Sequence, residues 1–489
     1  MTDFIRLLKQ PDLFRQECYV GGAWIGADSG ERFDVVDPAS GKIVATVPDC
    51  GKAETRRAIV AAAEAFPAWR GATAAVRGAA LRRWFDLMLA NCEDLAAIMT
   101  AEQGKPLAEA AAEVRYAAGF AEWYAEEAKR VYGEVIPSPF PDRRIVVVRE
   151  PVGVSAAITP WNFPAAMITR KAAAALAAGC PMVVKPASQT PLTALALAHL
   201  ADRAGIPAGV FNVLTGDAEA IGGELTANPL VRKLSFTGST AVGRRLAAQS
   251  APTLKRLSLE LGGNAPFIVF DDADIDAAVA GAVASKFRNT GQTCVCANRF
   301  LVQETLYEDF ARRLAGRVEE LRIGGGFDPG VEQGPLIDRR ALEHIEELLA
   351  DAASRGARVL VGGKRYSLGG TFYSPTVLLD VTRDMRVFRE EIFGPVAALM
   401  PFRDEAEAIA LANDTEYGLA AYCYTREAGR AWRVSSALEY GIVGLNTGAI
   451  STEVAPFGGI KQSGYGREGA RAGLDEYLQT KHISMAGLA

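Results

Sequence analysis

Histidine is nearly missing from this chain: 489 residues hold three, His199, His344 and His482, far apart and in no metal-ligand spacing. No cysteine pair has the separation of a zinc knuckle either, so no metal site is expected. Long apolar runs are also lacking. None reaches the roughly 18 to 20 residues of a membrane helix, and Met1 to Glu17 mixes acidic and basic residues where a secretory leader would be apolar. There is no excess of positive charge: the net charge of −5 speaks against nucleic acid or an anionic membrane as partner. No internal repeat or low-complexity segment stands out. The seven cysteines are scattered and odd in number, which fits reduced thiols in the cytoplasm.

What remains is ordinary globular material, 49% hydrophobic and 23% charged, and too long for a single core. Ala-rich amphipathic patterns at Ala53 to Trp69 and Val76 to Thr100 read as surface helices on a larger body. From Pro151 onward, short β-branched runs alternate with helical ones. Val152 to Ile158, Met182 to Lys185, Val210 to Leu214 and Val231 to Phe236 read as strands. Helices opened by Pro164 and Pro191 stop at Gly179 and Gly205, the usual proline-in, glycine-out asymmetry. This alternation predicts a parallel, doubly wound sheet. A second α/β series follows Gly263, with strands at Phe267 to Phe270 and Arg299 to Val302 and helices at Leu306 to Leu321 and Arg340 to Ala353. Arg143 to Arg149 and Tyr477 to Met485 read as peripheral strands of the kind that pair across subunits.

Chemistry concentrates at a few points. Cys294 lies in a Gly-Gln-Thr-Cys stretch, and Glu260 sits where an extended segment runs into Gly262-Gly263. A thiolate attacks carbonyl carbon, and a carboxylate in a partly apolar site can activate the water that releases the acyl group. Thr237-Gly238-Ser239 makes a turn between a strand and a helix, where backbone N–H groups can receive phosphate, although the spacing is not that of the dinucleotide fingerprint. Lys185 ends its strand, where open parallel sheets bind ligands. Taken singly, each has a blander reading: an inert core thiol, a strand-end carboxylate, an ordinary turn and a solvated cap.

Together these stretches resemble the aldehyde dehydrogenase superfamily over nearly the whole chain. The resemblance rests on Thr159-Pro160-Trp161-Asn162-Phe163-Pro164, Val184-Lys185-Pro186-Ala187, Phe236-Thr237-Gly238-Ser239, Leu259-Glu260-Leu261-Gly262-Gly263, Gly291-Gln292-Thr293-Cys294, Glu391-Ile392-Phe393-Gly394-Pro395 and Pro456-Phe457-Gly458-Gly459. Within the superfamily, Met167 to Lys171, Cys294 to Asn298 and Asn446 to Ala455 look most like succinate-semialdehyde dehydrogenases.

The resemblance implies a Rossmann-type cofactor domain (1–130 and 151–262), an α/β catalytic domain (263–472) and a small β oligomerisation element (131–150 and 473–489) of a homodimer or homotetramer. It makes Cys294 the nucleophile, Glu260 the base for water, and the Asn162 amide with the Cys294 N–H an oxyanion hole. It places Lys185 on the adenosine ribose, and Gly238 and Ser239 near the pyrophosphate. Glu391 would hold the nicotinamide ribose beside Phe393, with Thr159, Pro160, Trp161, Thr237, Gly243 and Leu261 completing the cofactor site. It gives Arg170, Arg288 and Ser451 the distal carboxylate of the substrate, for which a guanidinium fork is suited; Thr452 stands beside Ser451 as an alternative. Succinate semialdehyde follows, with glutarate semialdehyde as runner-up, because one methylene discriminates by only about 1–3 kcal/mol. Ser188 stands where NAD-preferring relatives often carry glutamate, so NADP is expected with NAD tolerated. Relatives with this Cys-Val-Cys stretch imply a redox switch between Cys294 and Cys296. Outside the resemblance stand a thiol esterase using Cys294 and Glu260 without redox, and a catalytically silent binding protein.

Overall fold

The computed structural model describes residues 3–487. The expected doubly wound sheet is present and eight-stranded. From edge to edge it runs Gly464–Tyr465, Arg256–Glu260, Val231–Thr237, Val154–Ile158, Met182–Lys185, Phe211–Val213, Cys18–Val20 and Ala23–Ile25. The five central strands are parallel; the outer ones are antiparallel. Chain order reverses between Val154–Ile158 and Val231–Thr237, and ligands of such sheets bind outside the carboxyl ends at that reversal. The strand ends there lead into Thr159–Asn162 and Gly238–Ser239, and the next strand ends on Glu260.

The second sheet has seven strands, in the order Arg358–Val361, Thr376–Leu379, Val396–Phe402, Ala297–Gln303, Ala265–Val269, Ala420–Tyr424 and Ile442–Leu445. All pairings are parallel except that of the edge strand Arg358–Val361. Gly262-Gly263, Cys294 and Glu391 each shortly precede one of its strands. Carboxyl ends of the first sheet therefore meet amino ends of the second, and the site lies between them. Gly464–Tyr465, expected in the catalytic portion, adds instead to the edge of the first sheet. A two-residue strand carries no periodicity that would reveal it. The peripheral segments form a third sheet, with Arg143–Pro151 antiparallel between Glu134–Ile136 and Leu478–Ala486.

The N-terminal helices differ from the expectation in two respects. The pattern from Val76 to Thr100 is two helices, Ala74–Ala90 and Cys92–Gln103, because Asn91 leaves helical geometry (φ −111°, ψ 22°). The second of them is not a surface helix, whereas Ala74–Ala90 keeps an exposed face, with Gly78, Ala80, Leu81, Trp84 and Met88 as its buried residues. Every residue from Asp94 to Gln103 is buried, and Leu107–Glu127 packs with them around Ala166–Ala178, all of whose residues are buried. Alanine-rich faces let helix axes approach closely, so a sequence that looks weakly apolar fills a core.

Candidate active site

Two cavities meet at Cys294, the one residue common to their walls. The first, of about 270 Å³, is charged: Lys105, Glu109, Glu113, Arg170 and Arg288 line it, with Tyr116, Phe163 and Phe457 as apolar surface and Ser451 at its edge. The second, of about 250 Å³, is built from Pro160, Trp161, Thr237, Gly238, Ser239 and Leu261, with Glu391 its one carboxylate.

Cys294 is presented by a strained turn. Asn289 (φ 50°) and Thr290 (φ 60°) are consecutive non-glycine residues in left-handed geometry, a conformation that costs about 1–2 kcal/mol per residue. Side-chain bonds hold it. Asn289 donates to the Asn162 carbonyl (3.0 Å) and the Gln292 carbonyl (3.2 Å), and Thr290 to the Gly334 carbonyl (3.1 Å). Among the described residues the Cys294 N–H has no acceptor, which leaves it available to an oxyanion. Burial pushes the thiol up to about 12; Arg170 opposes this and Glu391 and Glu260 reinforce it.

Several buried polar atoms on the segments that meet at the two cavities have no hydrogen-bond partner among the described residues. They include both carboxylate oxygens of Glu260, Asn162 Oδ1, Thr159 Oγ1 and Thr293 Oγ1. Most buried polar atoms are satisfied, so such a set marks a place prepared for something else. The Asn162 amide spends one N–H on the Gln292 carbonyl (3.0 Å), leaving the second to offer. Burial and the nearby Glu468 raise Glu260 well above the usual carboxylate range, against Lys171, Arg170 and Arg467. Its backbone carbonyl accepts from Gly238 N–H (3.0 Å). A Cβ at Gly458 would come within 2.8 Å of Glu260 Oε1, so glycine there keeps room for the carboxylate.

The second cavity suits a dinucleotide. Ser239 caps the helix Thr240–Ser250, and a Cβ on Gly238 would strike the Phe236 ring at 2.5 Å. The approach to the helix N-terminus is thus bare backbone, as a phosphate requires. Gly243 lets this helix close on Leu261, where a Cβ would stand 2.4 Å from Cδ2. Phe393 meets Trp161 edge to face with centroids 5.5 Å apart. Glu391 accepts from Gly263 N–H (3.0 Å), and burial raises its carboxyl to about 7. Lys185 is buried at its strand end, its ammonium on the Pro186 carbonyl (3.0 Å), with burial lowering it to about 8. Ser188 lies apart, in another hollow of about 400 Å³ with Asp34, Asp37 and Arg339.

The two arginines of the first cavity are not alike. Arg170 is buried and already engaged, with Glu468 (3.3 Å), the Tyr116 hydroxyl (2.7 Å) and the Phe457 ring (4.4 Å to its centroid). Arg288 is exposed to the cavity, has no ion pair among the described residues, and lies over the Phe163 ring at 5.3 Å. It is the available cation. Ser451 lines the cavity, whereas the Thr452 hydroxyl lies 3.5 Å from the neighbouring Glu453 carboxylate. Cys296 is buried, its Sγ donating to the Lys286 carbonyl (3.4 Å). Both Cys294 and Cys296 are free thiols in this structure. Among the described residues no cluster of side chains could hold a metal ion.

Several residues escaped the sequence reading: Lys105, Glu109, Glu113, Lys171 and Glu468. Lys171 is buried and pairs with Glu468, Thr237 Oγ1 (2.7 Å) and Ser235 Oγ (3.0 Å). Because Glu260 stands opposite Thr237 in register, this network lies beside Glu260.

A family model described as the aldehyde dehydrogenase family matches residues 24–483. The chain is 60% identical over 98% of its length to a glutarate-semialdehyde dehydrogenase of Pseudomonas aeruginosa, covering 100% of that protein. It is 61% identical over 97% of its length to succinate-semialdehyde dehydrogenase [NADP(+)] GabD of Escherichia coli, covering 99% of it. The crystal structure of succinate-semialdehyde dehydrogenase from Burkholderia pseudomallei superposes with a TM-score of 0.97 at 61% identity, over 98% of this chain and 99% of that one.

Proposed function

The chain belongs to the aldehyde dehydrogenase family, and from that premise we propose that it oxidises a short aldehyde carrying a distal carboxylate. Succinate semialdehyde is the first choice and glutarate semialdehyde the runner-up, with NADP preferred and NAD tolerated. The observation that carries this reading is the position of Cys294 as sole common wall of a charged cavity and a glycine-built one. The relatives named for both semialdehydes, and the one named for NADP(+), support the choice.

The aldehyde enters with its carboxylate towards Arg288 and Ser451. Cys294 loses its proton to solvent, the thiolate attacks the carbonyl carbon, and the resulting oxyanion receives the Cys294 N–H and the free N–H of Asn162. One such donor contributes roughly 10²–10³ in rate. The second cavity, with Gly238, Ser239, Trp161, Phe393 and Glu391 in its wall, would hold a nicotinamide coenzyme, which would supply the acceptor for the hydride that Cys294-bound substrate must lose to become a thioester. Glu260 takes a proton from water, the hydroxide adds to the acyl carbon, and Cys294 departs as thiolate with the carboxylic acid released. Arg170, engaged with Glu468, shapes the cavity and holds the network beside Glu260. The sheet containing Arg143–Pro151 is the face through which copies of the chain would assemble.

The test is a panel of succinate semialdehyde, glutarate semialdehyde and a neutral aldehyde of similar length with each coenzyme, following reduced nicotinamide. Succinate semialdehyde with NADP is expected to give the highest kcat/KM. Equal values for the neutral aldehyde would remove the carboxylate from the reading. In Cys294→Ala, oxidation is expected to vanish while coenzyme affinity stays near wild type; appreciable oxidation by that variant would remove the thioester.

A further inference from the structure

The loop that carries Asn162 is held by two residues of the charged cavity's wall to which the steps just described give no role. Lys105 and Glu113 form a buried ion pair (2.5 Å, both side chains 1% exposed). The Lys105 ammonium also donates to the Asn162 backbone carbonyl (2.7 Å) and lies 4.3 Å from the centroid of the Phe163 ring. The other oxygen of Glu113 accepts from the Ala165 (2.9 Å) and Ala166 (3.3 Å) N–H groups, where the helix carrying Arg170 and Lys171 begins. The pair therefore grips residues 162–166 at both ends. Gln103 extends the grip. It accepts from the Lys105 N–H (2.9 Å) and donates to Asn289 (3.0 Å), whose own amide bonds the same Asn162 carbonyl.

We propose that Lys105, anchored by Glu113, is a positioning residue for the oxyanion hole: it fixes the Asn162 backbone so that the Asn162 amide and the Cys294 N–H converge on one point. The proposal rests on the role given above to Asn162. Desolvating an ion pair is costly, and here the pair is directed at the backbone carbonyl of the same residue whose side-chain amide must be placed to a fraction of an ångström. Misplacement of about 1 Å in such a group costs on the order of 10²-fold in rate. Lys105 also lines the substrate cavity, so a direct contact with the substrate's carboxylate is the competing role.

The experiment is single-turnover formation of reduced coenzyme by Lys105→Met and by the milder Lys105→Gln, each alone and combined with Asn162→Ala. With succinate semialdehyde and with a neutral aldehyde alike, Lys105→Met is expected to slow the step by roughly 10²-fold, with Lys105→Gln between it and wild type. KM and coenzyme affinity are expected to stay within about threefold of wild type. In the Asn162→Ala background the same changes are expected to cost less than about twofold, since residues acting through one group are not additive. A loss confined to KM of the anionic aldehyde would make Lys105 a substrate contact and overturn the proposal. Full additivity with Asn162→Ala would overturn it too, as would loss of folding in both variants, which assigns the pair to structure. An Asn162→Ala enzyme with a wild-type rate would instead remove the oxyanion role on which the proposal stands.

Discussion

The cavities on either side of Cys294 are made of different materials. One is walled by glycine backbone, a helix N-terminus and aromatic edges, with Glu391 alone bearing charge. The other brings together two carboxylates and three cations, two of them already paired. Backbone groups suit a ligand that never changes, because they resist drift in side-chain identity. Side-chain charges suit the ligand that distinguishes one enzyme from its relatives. Substitutions on the two sides should therefore fail differently.

Among changes that leave the nucleophile in place, the largest effect is expected at Glu260, which serves the acyl group whichever cavity supplied the reactants. Glu260→Gln should retain a burst of reduced coenzyme and then turn over roughly 10²–10⁴-fold more slowly. Loss of the burst would mean that Glu260 mainly activates the thiol. The sign of the pH dependence follows from the raised carboxyl. Below its pKa Glu260 is neutral and cannot accept a proton, so deacylation should rise with pH, and the Gln variant should lose that limb.

Cys294 itself gives the next largest signal. With its thiol pushed up to about 12, the thiolate fraction grows about tenfold per pH unit throughout the neutral range. Alkylation of the coenzyme-free enzyme at Cys294 should accelerate by about a hundredfold between roughly pH 7 and 9. A plateau inside that window would show a lower thiol pKa and make the cavity more polar than described.

The arginines sharpen the comparison within the charged side. Arg288→Leu should raise KM for succinate semialdehyde by roughly ten- to a hundredfold, the size of a charge-assisted contact of about 1.5–3 kcal/mol, and leave a neutral aldehyde unaffected. Arg170→Leu takes one of two cationic partners from the buried Glu468, leaving Lys171, and should also lower stability, by about 1.5–3 kcal/mol, seen in thermal denaturation. Equal denaturation curves for the two variants would dissolve the distinction. The smallest effect belongs to the coenzyme side: Ser188→Glu should shift preference towards NAD by roughly tenfold, about 1.4 kcal/mol. An unchanged ratio would move the 2′-phosphate away from Ser188.

What could be read in the chain followed from locality. Met182 to Lys185 matches its strand residue for residue, because an apolar run stopped by Pro186 encodes both ends. The Gly238 turn and the stretch around Cys294 were legible as motifs for the same reason. Lys105, Glu113 and Glu468 were not. Lys105 reaches Asn162 across 57 positions and Arg170 reaches Glu468 across 298, and no period or spacing records such a pairing. Asn91 shows the opposite limit: the apolar pattern continues across it while the backbone breaks. Arg288 and Arg170 looked interchangeable in sequence, and only their surroundings separate them.

The left-handed pair Asn289-Thr290 sets stability against activity at one spot. Glycine at Thr290 would relieve the backbone and remove the hydroxyl tether to Gly334, leaving a chain content to fold and less able to aim its thiol. A search for heat-resistant variants would be drawn to this turn, and it would select enzymes that survive longer and work worse.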